Sequence, residues 1–184
     1  MGATGTGKSR LSIDLATRFP SEIINSDKIQ VYKGLDVVTN KVPISERLGV
    51  PHHLLGQVKQ DFDYTSVDFF LDTIAIIETI LKSNRVPIIV GGSNSFLEAL
   101  VENSVNNFKF LDSYVSKRVD QMVEAAIYIL RLRDEIGWDI HRFDTTSVLE
   151  ETGEKANSTW NKVVLKPCME LVTQVLTKRK KDIA

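Results

Sequence analysis

The sequence predicts an α/β fold, a parallel sheet flanked by helices, and three observations carry that prediction. Strand, loop and helix patterns alternate through the first hundred residues, which is the rhythm of a parallel sheet covered by helices. Val86-Pro87-Ile88-Ile89-Val90 is an unbroken apolar run cut off by Gly91-Gly92, as a buried strand reads. The chain also opens on Gly2-Ala3-Thr4-Gly5-Thr6-Gly7-Lys8-Ser9, a complete G-x-x-x-x-G-K-[ST] phosphate loop. The expected fold is therefore P-loop NTPase-like, with a partial helical appendage. Residues 1–109 would form the α/β core, and residues 110–184 helical segments packing on it or returning to it.

A chain of this length would match the loop pattern by chance about once in 150 cases at average residue frequencies, so the match is specific. Its glycines matter because backbone N–H groups must turn inward around an anion, a geometry that a Cβ opposes. Lys8 brings a mobile positive charge to the outer phosphates, and the Ser9 hydroxyl is placed to ligate Mg²⁺. The helix that begins there points its positive end at the same anion. Gly2, Ala3, Thr4, Gly5, Thr6, Gly7, Lys8 and Ser9 are accordingly the candidate anion-binding residues, with Ser9 the candidate metal ligand.

After the loop, Arg10 to Phe19 reads as a helix, with Leu11, Leu15, Ala16 and Phe19 on one face, and Pro20 stops it. Glu22 to Asn25 is a short strand ending in Ser26-Asp27, and Lys28 to Leu35 a turn or short helix closed by Gly34. Thr39 to Pro43 and Gly49 to Leu55 read as loops. Thr65-Ser66-Val67-Asp68 is a capping box, and the apolar residues beyond it continue a helix through Leu81. Strand Val86–Val90 follows, then a helix from Ser95 to Val101. Further on, Leu111 to about Asp134 is helical, and Ser158 to Lys178 forms an amphipathic helix despite Pro167.

Composition narrows the function. The chain has 184 residues, 42% of them hydrophobic, enough for one buried core. A net charge of −1 gives no general attraction to nucleic acid or membrane, and the basic run Lys178-Arg179-Lys180-Lys181 reads as a solvated helix end. Cys168 stands alone, which excludes an internal disulfide and a multi-thiolate zinc site and suits a reducing compartment. No apolar run approaches ~20 residues, so no membrane span is expected.

A phosphate loop does not choose among kinases, ATPases, GTPases and transferases. The sequence has no base-reading Asn-Lys-x-Asp, and strand Val86–Val90 ends in Gly-Gly-Ser-Asn without a carboxylate. The strand-terminal acid near the loop is Asp27, at the edge where open α/β sheets hold their ligands. It reads as a helix N-cap, as a carboxylate behind the Mg²⁺ ligands, or as a general base. His52-His53 reads as a hydrogen-bonding pair rather than a metal site, because adjacent side chains diverge and no third ligand is near. Trp138 and Trp160 read as core.

Together the loop, Ile24-Asn25-Ser26-Asp27-Lys28-Ile29-Gln30-Val31-Tyr32-Lys33-Gly34-Leu35-Asp36, Thr39-Asn40-Lys41, Val50-Pro51-His52-His53-Leu54-Leu55-Gly56 and Gly91-Gly92-Ser93-Asn94-Ser95-Phe96 resemble the isopentenyltransferases. The form is similar to that of the plant adenylate isopentenyltransferases that start cytokinin synthesis, relatives of the tRNA dimethylallyltransferases. Beyond Phe110 the likeness thins to Ser116–Glu124 and His141-Arg142-Phe143-Asp144. The resemblance implies dimethylallyl diphosphate as donor, held by the loop, Lys8 and Mg²⁺, and the N6 amine of adenine as acceptor. It makes Asp27 the base, with Lys8 and Ser93 beside it as catalytic residues. Thr6, Lys41 and Ser93 match positions that contact the diphosphate or position the donor.

Free adenine nucleotide, ATP or ADP before AMP by resemblance, is favoured over tRNA. One cysteine cannot build the zinc-finger-like segment of eukaryotic tRNA-modifying relatives, and the net charge is slightly negative. A small-molecule kinase using Asp27 on a hydroxyl, and a binding remnant without turnover, are the alternatives. The implied compartment is intracellular, plastid or cytoplasm, with no presequence visible ahead of the loop. Only Met1 precedes Gly2, where a phosphate loop has a strand, and the pattern changes phase near Glu124-Ala125-Ala126. The expectation is that segments at both places are omitted, including an arginine that binds the diphosphate.

Overall fold

The computed structural model describes residues 5–107, 141, 143, 145–149 and 151–182. Among these residues three parallel strands form one sheet, with β1 (Ser21–Asn25) between β2 (His52–His53) and β3 (Val86–Val90). Ile23 lies opposite Ile88 and Ile24 opposite Ile89. Successive residues of a strand face opposite sides, and β1 shows it. Ile23 packs with Ile13, Val50, Ile88 and Val90 on one face of the sheet, while Ile24 joins Phe69, Ile80, Phe96 and Leu100 on the other.

Helix α1 (Lys8–Ala16) covers the first face. It starts two residues ahead of the expected position, because Gly7 already caps it in a left-handed conformation (φ 81°). It also stops early. The carbonyl of Asp14 accepts from Thr17 Oγ1 (3.0 Å) and Arg18 Nη1 (2.6 Å), and such side-chain bonds compete with the next helical turn. Its buried residues are Ser12, Ile13 and Leu15, so the face on the sheet is rotated from the predicted one. Leu11 packs instead against the C-terminal segment.

Helices α2 (Ser66–Lys82) and α3 (Asn94–Asn107) cover the second face. The capping box forms as predicted: Thr65 accepts from the Asp68 N–H while the Asp68 carboxylate accepts from the Thr65 N–H. Phe69 and Phe96 stack with ring centroids 4.4 Å apart and planes within 10°, and Tyr64 meets Phe96 edge-on. Burying such rings supplies roughly 2–3 kcal/mol each, so this cluster is the main weld between sheet and helices.

His52-His53, expected in a loop, is a strand. Two residues are too few to show a period, and the pairing arises from the sheet itself: Ile23 N–H donates to the Pro51 carbonyl at 2.9 Å.

The C-terminal segment contains α4 (Thr146–Leu149), α5 (Gly153–Trp160) and α6 (Lys166–Asp182). A π-helical turn, Asn161–Leu165, joins the last two. The single helix predicted over Ser158–Lys178 thus begins earlier and carries a widened turn just before Pro167, which has no N–H for the carbonyl four residues back. Trp160, Val164 and Leu165 form a third cluster with Leu11 of α1. The predicted helix from Leu111 to Asp134, Trp138 and the Ser116–Glu124 block lie outside the described residues.

Candidate active site

A cavity of about 300 Å³ opens at the carboxyl ends of the strands. Gly5, Gly7, Lys8 and Ser9 form one wall, Asn25, Asp27 and Gln30 another, and Gly91-Gly92 after β3 a third. Apolar lining comes from Ile23, Val42, Leu55 and Val90. A larger groove of about 730 Å³ runs between Arg18 and the C-terminal helices, but none of the predicted site residues line it.

Gly5 and Gly7 both adopt left-handed backbone (φ 82° and 81°). Gly5 has open space where a Cβ would stand, so conformation alone selects glycine there. Lys8 follows at the first turn of α1. Burial pulls its ammonium below the ordinary lysine value, and the nearby charge of Asp27 opposes that fall. Ser9 is exposed and lines the cavity. Gly2, Ala3 and Thr4 lie outside the described residues.

Asp27 sits just past β1, where Asn25 fixes the chain. Asn25 is buried, and its Nδ2 donates to the Leu54 carbonyl (2.9 Å) and the Asp27 carbonyl (3.2 Å). Asp27 Oδ1 accepts from the N–H groups of Ile29 (3.0 Å) and Gln30 (3.3 Å). The helix N-cap reading of this aspartate does not hold, because residues 28–31 form a turn and no helix follows; Oδ1 instead closes that turn, and Oδ2 has no hydrogen-bond partner among the described residues. Gln30 in turn donates to the Thr39 carbonyl (3.0 Å), tying the 39–40 loop to the same wall.

Three predicted residues, Thr6, Lys41 and Ser93, are not in the cavity lining. Lys41 is buried, with Nζ donating to the Gly34 carbonyl and to Asp36 Oδ1 at 2.9 Å. Its neighbours Asn40 and Val42 line the cavity instead. Ser93 lies one residue beyond the lining glycines, its hydroxyl 3.2 Å from that of Ser95.

The histidines diverge as expected. His52 lines the cavity and donates from Nδ1 to the Val50 carbonyl (2.8 Å), whereas His53 Nε2 meets Glu22 Oε2 at 2.6 Å. Burial lowers the His52 value, leaving a neutral ring at neutral pH. Among the described residues no group of three or more His, Cys, Asp or Glu could hold a metal.

The residues nonetheless fit Mg²⁺. The cavity offers hard oxygen donors, the Ser9 hydroxyl and the Asp27 carboxylate, and Mg²⁺ commonly takes one or two such protein groups and fills the rest with phosphate and water.

Sequence reasoning missed Trp160 as part of this region. Its indole lies against Gly7 and donates Nε1 to Asp14 Oδ2 at 3.0 Å, across 146 positions of sequence. No local pattern signals such a contact.

Fold and cavity together set Gly5, Gly7 and Lys8 across from the Asp27 carboxylate at the carboxyl ends of a parallel sheet. The model of the IPP transferase family matches residues 30–136, and the chain belongs to that family. It is similar to adenylate isopentenyltransferase 5, chloroplastic, of Arabidopsis thaliana: 58% identical over 142 residues, 69% of this chain and 43% of the relative. It is 52% identical over 101 residues to tRNA dimethylallyltransferase 2 of the same plant, covering 55% of this chain and 22% of that protein. The crystal structure of a eukaryotic dimethylallyltransferase acting on tRNA matches with a TM-score of 0.54 and 35% identity, over 76% of this chain and 36% of that one. The chain thus spans less than half the length of these relatives. Among the described residues no helix is long and apolar enough to cross a membrane.

Proposed function

We propose that this chain carries the catalytic core of an adenylate dimethylallyltransferase, moving the prenyl group of dimethylallyl diphosphate to the N6 amine of ATP, ADP or AMP, the first step of cytokinin synthesis. The observation that carries the reading is Asp27 facing the phosphate loop across one cavity, with the Lys8 ammonium in reach of its charge.

The adenine amine is a weak nucleophile because its lone pair is delocalised into the ring. Asp27, with Oδ1 held by the turn, accepts the N6 proton while nitrogen bonds to the prenyl carbon. The carbon–oxygen bond of the donor breaks, and its electron pair leaves on diphosphate. Lys8 and the loop N–H groups meet the charge that grows on this leaving group, so their attraction is stronger in the transition state than before it. Mg²⁺, held at Ser9 with Asp27 behind it, would supply further stabilisation of the diphosphate charge. The apolar residues Ile23, Val42, Leu55 and Val90 suit a five-carbon tail and keep water from it.

Free nucleotide rather than tRNA is supported by the net charge of −1. Tracking a polyanion requires several clustered cations. The longer and closer match to an adenylate enzyme than to the tRNA enzyme points the same way.

The test is to incubate the protein with Mg²⁺, dimethylallyl diphosphate and, separately, ATP, ADP, AMP or a tRNA anticodon stem. Diphosphate and N6-prenylated product are measured. Prenylated nucleotide is expected, with kcat about 10²–10⁴-fold lower in Asp27→Asn. Transfer to the tRNA stem alone would replace the acceptor, and ATP consumed without the prenyl donor would replace the reading with a kinase.

A further inference from the structure

The C-terminal segment reaches the phosphate loop through one side chain. Trp160 is 3% exposed, although it belongs to a helix far along the chain from the loop it touches. A Cβ placed on Gly7 would stand 2.7 Å from two atoms of its six-membered ring, so the indole fills the space directly behind that glycine. Two contacts hold the ring there, and a third ties one of them to its helix. Its Nε1 donates to Asp14 Oδ2 at 3.0 Å. The Arg10 guanidinium lies 4.8 Å from the ring centroid, within cation–π range. Arg10 Nη2 then donates to Asn157 Oδ1 at 2.9 Å, one turn ahead of Trp160 on the same helix. Arg10 itself lines the cavity.

We infer that Trp160 is a positioning residue for the phosphate loop: its indole, fixed by Asp14 and Arg10, backs Gly7 and keeps the loop shaped for the diphosphate of the donor. This rests on the prenyl-transfer reading above. The physical need is plain. Two glycines in left-handed backbone give the loop its curvature but also make it costly to order. A rigid aromatic wall removes alternative loop conformations before the anion arrives, and such preorganisation raises affinity without adding a contact to the ligand. Arg10 directly follows the loop and Asp14 lies one helical turn further on, so the indole is referenced to the helix whose N-terminus faces the anion.

The test uses the 184-residue chain in a Trp138→Phe background, so that Trp160 is the single indole. Inorganic diphosphate with Mg²⁺ is titrated by calorimetry and by Trp160 emission, and KM values are measured for donor and acceptor. The variants are Trp160→Ala, Trp160→Phe, which keeps a ring behind Gly7, and Asp14→Ala, which removes the acceptor of Nε1. Diphosphate is expected to change the indole emission. Its Kd should rise about tenfold in Trp160→Ala and about threefold in the other two, the scale of one or two ordered groups. Donor KM should rise with it while nucleotide KM stays put. If Trp160→Ala fails to fold, the two milder variants decide. Wild-type diphosphate affinity in folded Trp160→Phe and Asp14→Ala, or donor and acceptor constants moving by one factor, would overturn the inference alone. Absence of diphosphate binding by the parent chain would overturn the prenyl-transfer reading as well.

Discussion

Gly91 and Ser26 touch so closely that a Cβ on Gly91 would stand 2.4 Å from both the carbonyl carbon and the Oγ of Ser26. The contact is the meeting of two strand ends. Ser26 N–H donates to the Val90 carbonyl at 2.8 Å, and Ser93 N–H reaches back to the Ser26 carbonyl at 3.3 Å. Ser26 is fully buried beside Asp27, so the packing that excludes a side chain at Gly91 also seats the candidate base.

Gly91→Ala should therefore lower stability by about 1–3 kcal/mol, as overpacked cores do. It should also displace Asp27 enough to reduce transfer more than nucleotide binding. Urea unfolding measures the first effect, and the ratio of kcat to KM changes measures the second. A variant as stable and active as the parent would show that the strand ends separate freely.

Asp27 has two duties that substitution can divide. Asp27→Asn keeps an oxygen for the N–H groups of Ile29 and Gln30, so its unfolding midpoint should match that of the parent. Asp27→Ala loses that bond and should cost about 1 kcal/mol, the usual net worth of such a hydrogen bond. Both should lose prenyl transfer, since neither has a carboxylate. Equal stability of the two variants would mean that the turn holds itself.

Glu22 anchors β1 from the opposite side. The hydrogen bond from His53 at 2.6 Å, helped by Arg85 at 2.9 Å, holds its carboxyl below the ordinary value against the opposing effect of burial. A depressed folded-state value stabilises the fold above the unfolded value and loses that stabilisation as pH falls through the folded one. Urea midpoints should drop for the parent below about pH 4.5. The Glu22→Gln variant should start less stable near pH 6 and show a shallower drop. Parallel curves would remove Glu22 from the acid sensitivity.

Some features were legible because their causes are local. The left-handed turn into α1 shows in Gly5 and Gly7, the start of α2 in Thr65 and Asp68, and strand Val86–Val90 in its own apolar run ended by two glycines. Asp27 was legible as a candidate because a carboxylate follows directly on a strand. The short strand His52–His53 was not, since only the neighbouring backbone of Ile23 and Ile24 makes it one. The early end of α1 was equally hidden, because it turns on which side chains take the carbonyl of Asp14.

By itself the sequence determined that this protein has a glycine-rich turn leading into α1, an α/β alternation and an isopentenyltransferase-like order of motifs, for each is written in residues adjacent along the chain. Only the tertiary structure decided that Lys41 turns to Gly34 and Asp36 while Asn40 and Val42 line the cavity. It alone put Trp160 behind Gly7. The physical reason is the same in both cases: burial and hydrogen-bond satisfaction are settled among groups distant in sequence, where a side chain goes to the partner that best repays its desolvation.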